Sequence, residues 1–346
     1  MQLHMPVLSK AIQILLFAIL AVIALYFAKE LLVPICFAGL LAMLLLSLCN
    51  KMEARRIPRG IAAFLCILLI VVVVAGLVLL LQWQLSNMAK DLNGMEQRIT
   101  EQVTKAKQFI SQNLGISEQQ QKEMAKKQSP GGSIIGSVMG VLVDTVLVMV
   151  YIFLFLYFRA HIKKFILKLV PNSQKDKTLT IIHECTKVAQ HYLNGLAMMI
   201  ATLWVLYSIG FSLIGVPSPI FFAILCGLLE IIPFIGNLTG TALTILFTIA
   251  EDGGTNKVVG IVLVYGLIQF VQSYMLEPLI VGKKVNINPL FTIMALVAGE
   301  LVWGVPGIIL AIPLLAIVKI ICDHIAPLQP YGFLIGSPEK KKKKKS

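Results

Sequence analysis

The stretch 219–237 constrains this chain more than any other, because it is apolar enough for a bilayer but too short to cross one. Its apolar run 220–232 makes about 18–20 Å of helix, whereas the hydrocarbon core of a bilayer is roughly 30 Å thick. Glu230 lies just before a break at Pro233 and Gly236. Broken backbone at membrane depth persists only inside protein or beside a water-filled cavity, because lipid offers no hydrogen-bond partner. The stretch therefore predicts a re-entrant helical hairpin.

A second segment of the chain has the same pattern. Residues 288–291 (Asn-Pro-Leu-Phe) resemble residues 218–221 (Ser-Pro-Ile-Phe), and Glu300 follows its Pro at the same offset as Glu230. A polar residue before a Pro is the usual start of a helix. Paired apolar segments with Gly/Pro breaks are the best sequence pointer to the binding site of a transporter. Two unrelated short membrane helices are the alternative. The predicted hinges are Pro233, Gly236, Gly304, Pro306 and Gly307.

The composition predicts a helical membrane protein. The mean hydropathy is +0.86 and only 14% of the residues are charged. A soluble domain is less hydrophobic and carries more charge. The formal net charge is +13. The basic residues cluster beside apolar runs, where membrane orientation explains them, so nucleic acid is not a predicted partner. The six Cys are scattered and lack metal-ligand spacing.

The order of apolar runs predicts an all-α membrane protein with about six transmembrane helices and two re-entrant hairpins. The predicted spans are 11–28, 31–49, 61–82, 134–158, 193–216 and 258–281. Basic loops mark the cytoplasmic side, which places both termini in the cytoplasm. The two hairpins then enter from opposite faces, so that 193–250 and 258–322 form an inverted repeat.

Five regions follow from this order. They are three N-terminal spans (1–82), a polar arm (83–133), a fourth span with a basic amphipathic segment on the membrane surface (134–192), a transport core (193–322) and a basic cytoplasmic tail (323–346). In the arm, apolar residues recur at helical spacing from Leu85 to Val103. They predict an extracytoplasmic helical arm that packs or assembles, with contact to lipid headgroups as the alternative.

The carboxylates within apolar segments are the first candidate site residues. A carboxylate at the bilayer centre costs about 2.5–3.5 kcal/mol. Glu230 and Glu300 are therefore expected to bind a proton, a cation or a polar solute, or else to cap a broken helix. Asp144 follows the same reasoning, with an interfacial ion pair as its alternative.

Polar side chains complete the predicted transport path. Gln269 and Gln272 share one face of the sixth span, where they contact solute or form interhelical hydrogen bonds. Asn237 follows the first break and is predicted to line the same path. The two hairpins are expected to meet near the middle of the membrane.

An enzyme is not predicted. His183 and Glu184 begin like a zinc-binding H-E-x-x-H motif, but Lys187 stands at the position of the second His. The sequence has neither a G-x-S-x-G nucleophile motif nor a Walker A motif. No catalytic residue, metal site or cofactor is therefore assigned.

Four motifs resemble the autoinducer-2 exporter (AI-2E) family of permease-like proteins. They are Leu-Glu-Ile-Ile-Pro-Phe-Ile-Gly at 229–236, the segment 272–282 with its Glu-Pro pair, Asn-Pro-Leu at 288–290 and the Gly-Val-Pro-Gly start of 304–313. The likeness is strongest over 190–322. The resemblance implies a secondary transporter of a bacterial inner membrane that assembles as a homo-oligomer.

The resemblance leaves the substrate open. Some members of the family are assigned export of the quorum-sensing furanone autoinducer-2, and others sodium– or lithium–proton antiport. We expect a gradient-driven or facilitative exporter of a small polar organic solute. The alternatives are a sodium(lithium)/proton antiporter that uses Glu230, and a membrane scaffold without transport that is organised by the arm.

Overall fold

The computed structural model describes residues 5–89, 134–233, 235–251, 254–281 and 287–337. Over this part of the chain the secondary structure is helical, with one isolated backbone bridge between Ile287 and Gly336. The all-α prediction is thereby confirmed. Most of the predicted arm (90–133) and the C-terminal lysine run lie outside the described residues.

The helices follow one another through the described chain in a simple order. They are α1 (Met5–Phe27), α2 (Lys29–Ala54), α3 (Arg59–Ala89), α4 (Ile134–Lys168), a 3-10 turn (Asn172–Gln174), α5 (Lys175–Leu213), α6 (Pro219–Leu229), α7 (Ile235–Ala250), α8 (Thr255–Val271), a π-helix (Gln272–Val281), α9 (Pro289–Trp303), α10 (Val305–His324), a 3-10 turn (Ala326–Leu328) and α11 (Gln329–Ile335).

Six stretches of the described helices are long and apolar enough to cross a bilayer. They are Lys29–Ala54, Arg59–Gln84, Val143–Lys168, Asn172–Leu213, Thr255–Glu277 and Val305–His324. The chain is therefore a multi-pass, all-α membrane protein, as predicted. The membership of the six differs from the prediction. The apolar part of α1, Ile12–Phe27, is shorter than the others, and α10 joins the set.

The first predicted hairpin is built from two short helices. The helix α6 has 11 residues and α7 has 16, or about 16 and 24 Å. Both are shorter than the hydrocarbon core of roughly 30 Å. Pro219 lies in the first turn of α6, where its missing N–H leaves no intrahelical bond unmade.

The second predicted hairpin has one long limb. The helix α10 begins at Val305 and runs for 20 residues, which is about 30 Å. Pro306 lies in its first turn, where a Pro is tolerated, so the helix starts as soon as Gly304 ends α9. It is thus long enough to cross a bilayer alone, unlike either limb of the first hairpin. Re-entry of this hairpin stays a prediction.

The basic segment before the fifth span differs from its prediction. The sequence predicted amphipathic stretches on the membrane surface up to residue 192, followed by a separate span. The structure instead forms one helix of 39 residues, α5. Residues 175–194 contain neither Gly nor Pro, so no local signal ends the helix before the apolar part begins.

The chain divides into two compact units. Unit 1 contains Met1–Ile67, Asp144–Asn194 and Lys283–Ser346, and unit 2 contains Leu68–Val143 and Gly195–Gly282. Since 258–281 groups with unit 2, these boundaries differ from those of the predicted repeats. The inverted repeat itself stays a prediction.

Unit 1 is held together by a small apolar core and by long polar side chains. Leu40, Ala189 and Leu310 form the buried cluster. Nearby, the Gln190 side-chain amide donates to the carbonyl of Met43 at 2.7 Å. Such bonds are favourable between membrane helices because the alternative is an unpaired polar group in lipid.

Glycines allow α9 and α10 of unit 1 to touch along their backbones. A Cβ added to Gly307 would lie 1.9 Å from the carbonyl oxygen of Gly299. Between the helices, Gly304 has φ +65° and ψ −144°, a conformation that only glycine adopts readily. This one residue reverses the chain, and the small residues let the two helices pack at close range.

Unit 2 has the larger core. Tyr207, Phe211, Phe222, Cys226 and Ile261 are among its buried members. A Cβ on Gly227 would lie 2.3 Å from the Trp204 ring, so α6 lies directly against α5. The Trp204 indole N–H also donates to the carbonyl of Ile224 at 3.1 Å. These contacts fix the short helix α6 within the unit.

We predict that Gly307→Ala destabilises the protein. The added methyl group has to displace the backbone of Gly299, and overpacking of this kind costs about 1–3 kcal/mol. Thermal unfolding in detergent measures the effect. Gly266→Ala is the matched control, because nothing lies within 4 Å of a Cβ at that position. Equal melting temperatures for the two variants would contradict the close packing of α9 and α10.

Candidate functional site

The break between α6 and α7 sets the position of Glu230. The helix α6 ends at Leu229, and the Glu230 backbone N–H still bonds to the carbonyl of Cys226 at 3.2 Å. The chain then turns and α7 begins at Ile235. A Cβ on Gly236 would lie 1.6 Å from the Leu229 carbonyl oxygen. The first turn of α7 therefore lies directly against the last turn of α6.

Glu230 belongs to a hydrogen-bonded chain of side chains within unit 2. The Tyr207 hydroxyl donates to Asn237 Oδ1 at 2.6 Å. Asn237 Nδ2 donates to Gln269 Oε1 at 2.7 Å and lies 3.5 Å from Gln272 Oε1. Gln272 Nε2 in turn donates to Glu230 Oε1 at 2.5 Å. We call these five residues the Glu230 network.

The Glu230 network is largely withdrawn from the surface of the unit. Tyr207, Asn237 and Gln272 are 0%, 3% and 7% exposed, while Glu230 and Gln269 are half-buried. Buried polar groups are tolerated only when they are hydrogen-bonded, and in a low-dielectric interior such bonds strengthen one another. The network is thus a polar centre inside an apolar unit.

Two oxygen atoms beside this chain of bonds are left without a partner. Glu230 Oε2 and Thr241 Oγ1 are buried and have no hydrogen bond within the described part of the chain. A buried unsatisfied polar atom costs about 1–3 kcal/mol, and more if it is charged. Such atoms require an explanation, and a bound proton, cation or solute hydroxyl would supply the missing contact.

A polar stripe on α7 continues from the Glu230 network. Asn237, Thr241, Thr244 and Thr248 follow at spacings of four and three residues and are all at most 4% exposed. The hydroxyls of Thr244 and Thr248 donate to backbone carbonyls one turn earlier in the helix, each at 2.8 Å. Only Thr241 in this stripe keeps a hydroxyl without a partner, which places a free polar group one turn from Asn237.

The helix that carries the two glutamines changes its winding at the site. The α-helix α8 ends at Val271, and the π-helix begins at Gln272. π-Helical turns are rare and occur frequently at functional sites. Pro278 lies within this π-helix, and as a proline it has no backbone N–H to donate to a regular helical turn.

The structure brings together four of the predicted path residues. Glu230, Asn237, Gln269 and Gln272 are directly connected by hydrogen bonds. Glu300 and Asp144 are residues of unit 1, and both are exposed in the isolated chain. Their roles in transport stay predictions, as do those of the four path residues.

The predicted hinges have structural reasons of a different kind. Gly236 and Gly307 lie where a side chain would strike a neighbouring backbone, and Gly304 adopts a positive φ. Pro233 lies in the turn after α6, and Pro306 starts α10. These constraints explain the residue types without motion, and hinging itself stays a prediction.

The sequence analysis missed Tyr207 and the threonine stripe. Tyr207 lies in the apolar part of α5, where an aromatic residue is ordinary and gives no signal of a polar site. The stripe had a usable signal, since Asn237, Thr241, Thr244 and Thr248 recur with the period of one helix face. Within the described residues, no three His, Cys, Asp or Glu side chains are grouped as metal ligands.

Comparison with known proteins gives relatives of one kind. The relatives include Bacillus subtilis YrrI, 28% identical over 163 residues (47% of this chain and 46% of the relative). A Borreliella burgdorferi protein is 26% identical over 147 residues (42% and 41%), and Mycobacterium tuberculosis MT0215 is 30% identical over 107 residues (31% and 29%). Each carries the name "Putative transport protein". The aligned part of the chain spans less than half the length of these relatives.

A family model extends the similarity to nearly the whole chain. The model of the AI-2E family transporter matches residues 15–326. This range includes both predicted hairpins, the Glu230 network and the Asn-Pro and Gly-Val-Pro-Gly motifs. The resemblance noted from those motifs is confirmed, and the chain belongs to the AI-2E transporter family.

Proposed function

We propose that this protein is a secondary or facilitative membrane transporter that exports a small polar organic solute, which binds at the Glu230 network. The observation that carries the proposal is the buried oxygen Glu230 Oε2, which has no partner within the described residues. A solute hydroxyl that donates to this oxygen would remove the cost of leaving it unpaired. Family membership and the names of the relatives support a transport function.

The chemistry of the site favours a solute rich in hydroxyl groups. Glu230 Oε2 accepts only, when ionised, whereas Thr241 Oγ1 both donates and accepts. A solute with neighbouring hydroxyls matches such a pair, and the surrounding aromatic and aliphatic core would exclude water. A hydroxylated furanone of the autoinducer-2 type has this character. The sequence carries no Walker A motif, so we assign the energy to a gradient or to passive flow.

A sodium(lithium)/proton antiporter is the second candidate, and it is supported by the same oxygen. An ionised Glu230 with one oxygen held by Gln272 and the other unpaired is suited to exchange a proton for a small cation. A carboxylate inside a membrane is a functional candidate by default because its insertion is unfavourable. The two candidates differ in whether Glu230 carries charge or only positions a solute.

Membrane placement and assembly are further parts of the proposal. The basic loop 51–59 and the basic residues at 159–187 support an inner membrane protein with both termini in the cytoplasm. We also propose a homo-oligomer, from the family resemblance alone. Most of the arm lies outside the described residues, so a functional assay has to test the scaffold alternative. A scaffold without transport would keep its function when Glu230 is neutralised.

We predict that Glu230→Gln reduces export of autoinducer-2 at least severalfold in cells that overproduce the protein. The amide replaces an oxygen that accepts with a group that donates, so a hydroxylated solute loses its contact. Extracellular signal measured against time with a bioluminescent reporter strain gives the rate. Asp176→Asn is the control, because that carboxylate is exposed and belongs to unit 1, away from the network. Equal export by wild type, both variants and cells without the protein would overturn the proposal for this solute.

We predict that everted membrane vesicles with the wild-type protein show no dequenching of a pH-gradient dye when Na⁺ or Li⁺ is added. A neutral-solute exporter moves no proton against these cations. Dequenching in wild type that disappears in Glu230→Gln would replace the exporter with the antiporter. The Asp176→Asn variant shows whether such a loss is specific to the carboxylate of Glu230.

We predict that Tyr207→Phe lowers both stability and the apparent affinity for solute. The change leaves Asn237 Oδ1 without its donor at 2.6 Å, which costs about 1–3 kcal/mol, and it frees the Asn237 side chain to turn. Melting in detergent and export at varied internal solute concentration measure the two effects. Tyr274→Phe is the control, since Tyr274 is 72% exposed. Unchanged export by Tyr207→Phe would remove Asn237 from the binding site.

A further inference from the structure

An open cleft lies at one end of unit 1, beside the turn that joins α2 to α3. Its volume is about 630 Å³. One wall comes from the turn and the start of α3, and the other from the last part of α4. Its polar and aromatic lining includes Glu53, Arg56, Arg59, Tyr157, His161 and Lys164. The Glu230 network lies in the other unit, so the proposed transport site does not account for this cleft.

The cleft carries a surplus of positive charge. Its only acidic lining residue is Glu53, and that carboxylate is already occupied. Glu53 Oε2 accepts from Arg159 at 2.6 Å and lies 3.7 Å from Arg59 Nε. Within the described chain, no carboxylate pairs with Arg56 or Lys164. Two cations that face one cleft without a counter-ion favour an anionic ligand.

The backbone at Arg56 gives a second, independent observation. Arg56 has φ +66° and follows the last residues of α2 at the position where helices usually place a glycine. Its N–H bonds to the carbonyl of Glu53 at 2.9 Å, and the Ile57 N–H bonds to the carbonyl of Met52 at 3.3 Å. Together the two bonds form a Schellman motif, in which Arg56 occupies the position that usually holds a glycine. A left-handed conformation is unfavourable for a residue with a Cβ. The turn by itself would favour glycine, so it gives no reason for an arginine at this position.

The remaining lining gives the cleft an apolar side. Tyr157 and Phe158 line it and are 42% and 47% exposed. They lie on α4, which is apolar and long enough to cross a bilayer. The other wall joins two further helices of spanning length, α2 and α3. The cleft is therefore placed where apolar helix meets a basic turn, as at the surface of a membrane.

We propose that this cleft binds the phosphate group of an anionic phospholipid, with Arg56 and Lys164 on the phosphate and the two aromatic rings beside the acyl chains. Arginine suits phosphate because its planar guanidinium donates two parallel hydrogen bonds. Basic pockets between membrane helices on the cytoplasmic side bind acidic headgroups in this manner. The positive-inside rule places the turn 51–59 on that side. A soluble phosphate anion shares the same chemistry and is distinguished by experiment.

Arg56→Gly is the sharpest test, because it removes the charge while it relieves the turn. The full chain, purified in detergent, is titrated with phosphatidylglycerol and with phosphatidylcholine, and bound lipid is counted by native mass spectrometry. We expect the affinity for phosphatidylglycerol to fall about fivefold, the value of one surface arginine near acidic lipid. We expect the melting temperature to stay the same or to rise. A folded variant with weaker lipid binding separates recognition from stability.

Arg55→Gly is the matched control. It removes the same charge from the adjacent position, where the backbone has φ −88° and the side chain does not line the cleft. Equal loss of phosphatidylglycerol in the two variants would show diffuse attraction and overturn the site. Equal binding of both lipids by wild type would also overturn it. The last measurement is the melting temperature in the presence of inorganic phosphate. If phosphate raises it in an Arg56-dependent way and the protein shows no preference between the two lipids, the cleft binds a soluble anion and the lipid proposal is overturned.

Discussion

The rest of this structure depends on one constraint, which is that a polar group inside a membrane has to find its partner in the protein. The Glu230 network meets that constraint for Tyr207, Asn237 and Gln272, each of which is almost fully buried. It fails to do so for Glu230 Oε2. This exception, in a network that is otherwise connected, is the reason for our proposal that a transported species binds there.

The structure also depends on glycine, because the two helices on either side of a break pack tightly only where their backbones approach closely. At Gly236 the start of α7 touches the carbonyl at the end of α6. At Gly299 and Gly307 the helices α9 and α10 touch in the same way. Each contact belongs to its own unit, and each lies within a few residues of a glutamate, Glu230 or Glu300. Close packing and a polar break thus occur together in both hairpins.

The two proposals use opposite solutions for charge. In unit 2 the half-buried carboxylate of Glu230 accepts from the neutral amide of Gln272 and keeps one oxygen unpaired, which leaves that oxygen for a species that binds. In unit 1 Arg56 and Lys164 face an open cleft, and Glu53 is already held by Arg159. A half-buried acid with one unpaired oxygen suits a transported species that binds and leaves. An exposed basic cleft suits a lipid that stays.

The sequence by itself determined the all-α membrane class, the family and the short helices of 219–250, and it named four of the five residues of the Glu230 network. Length, hydropathy and Pro/Gly breaks are local properties, which is why these features could be predicted from single segments. The tertiary structure decided the rest. It connected Tyr207 with Asn237, left Glu230 Oε2 unpaired, extended α10 across twenty residues and joined two predicted segments into α5. The hydrogen bonds and the unpaired oxygen depend on which side chains meet across helices, and no single segment of the sequence contains that information. The helix lengths depend on where a chain that lacks a strong break finally stops, which packing decides.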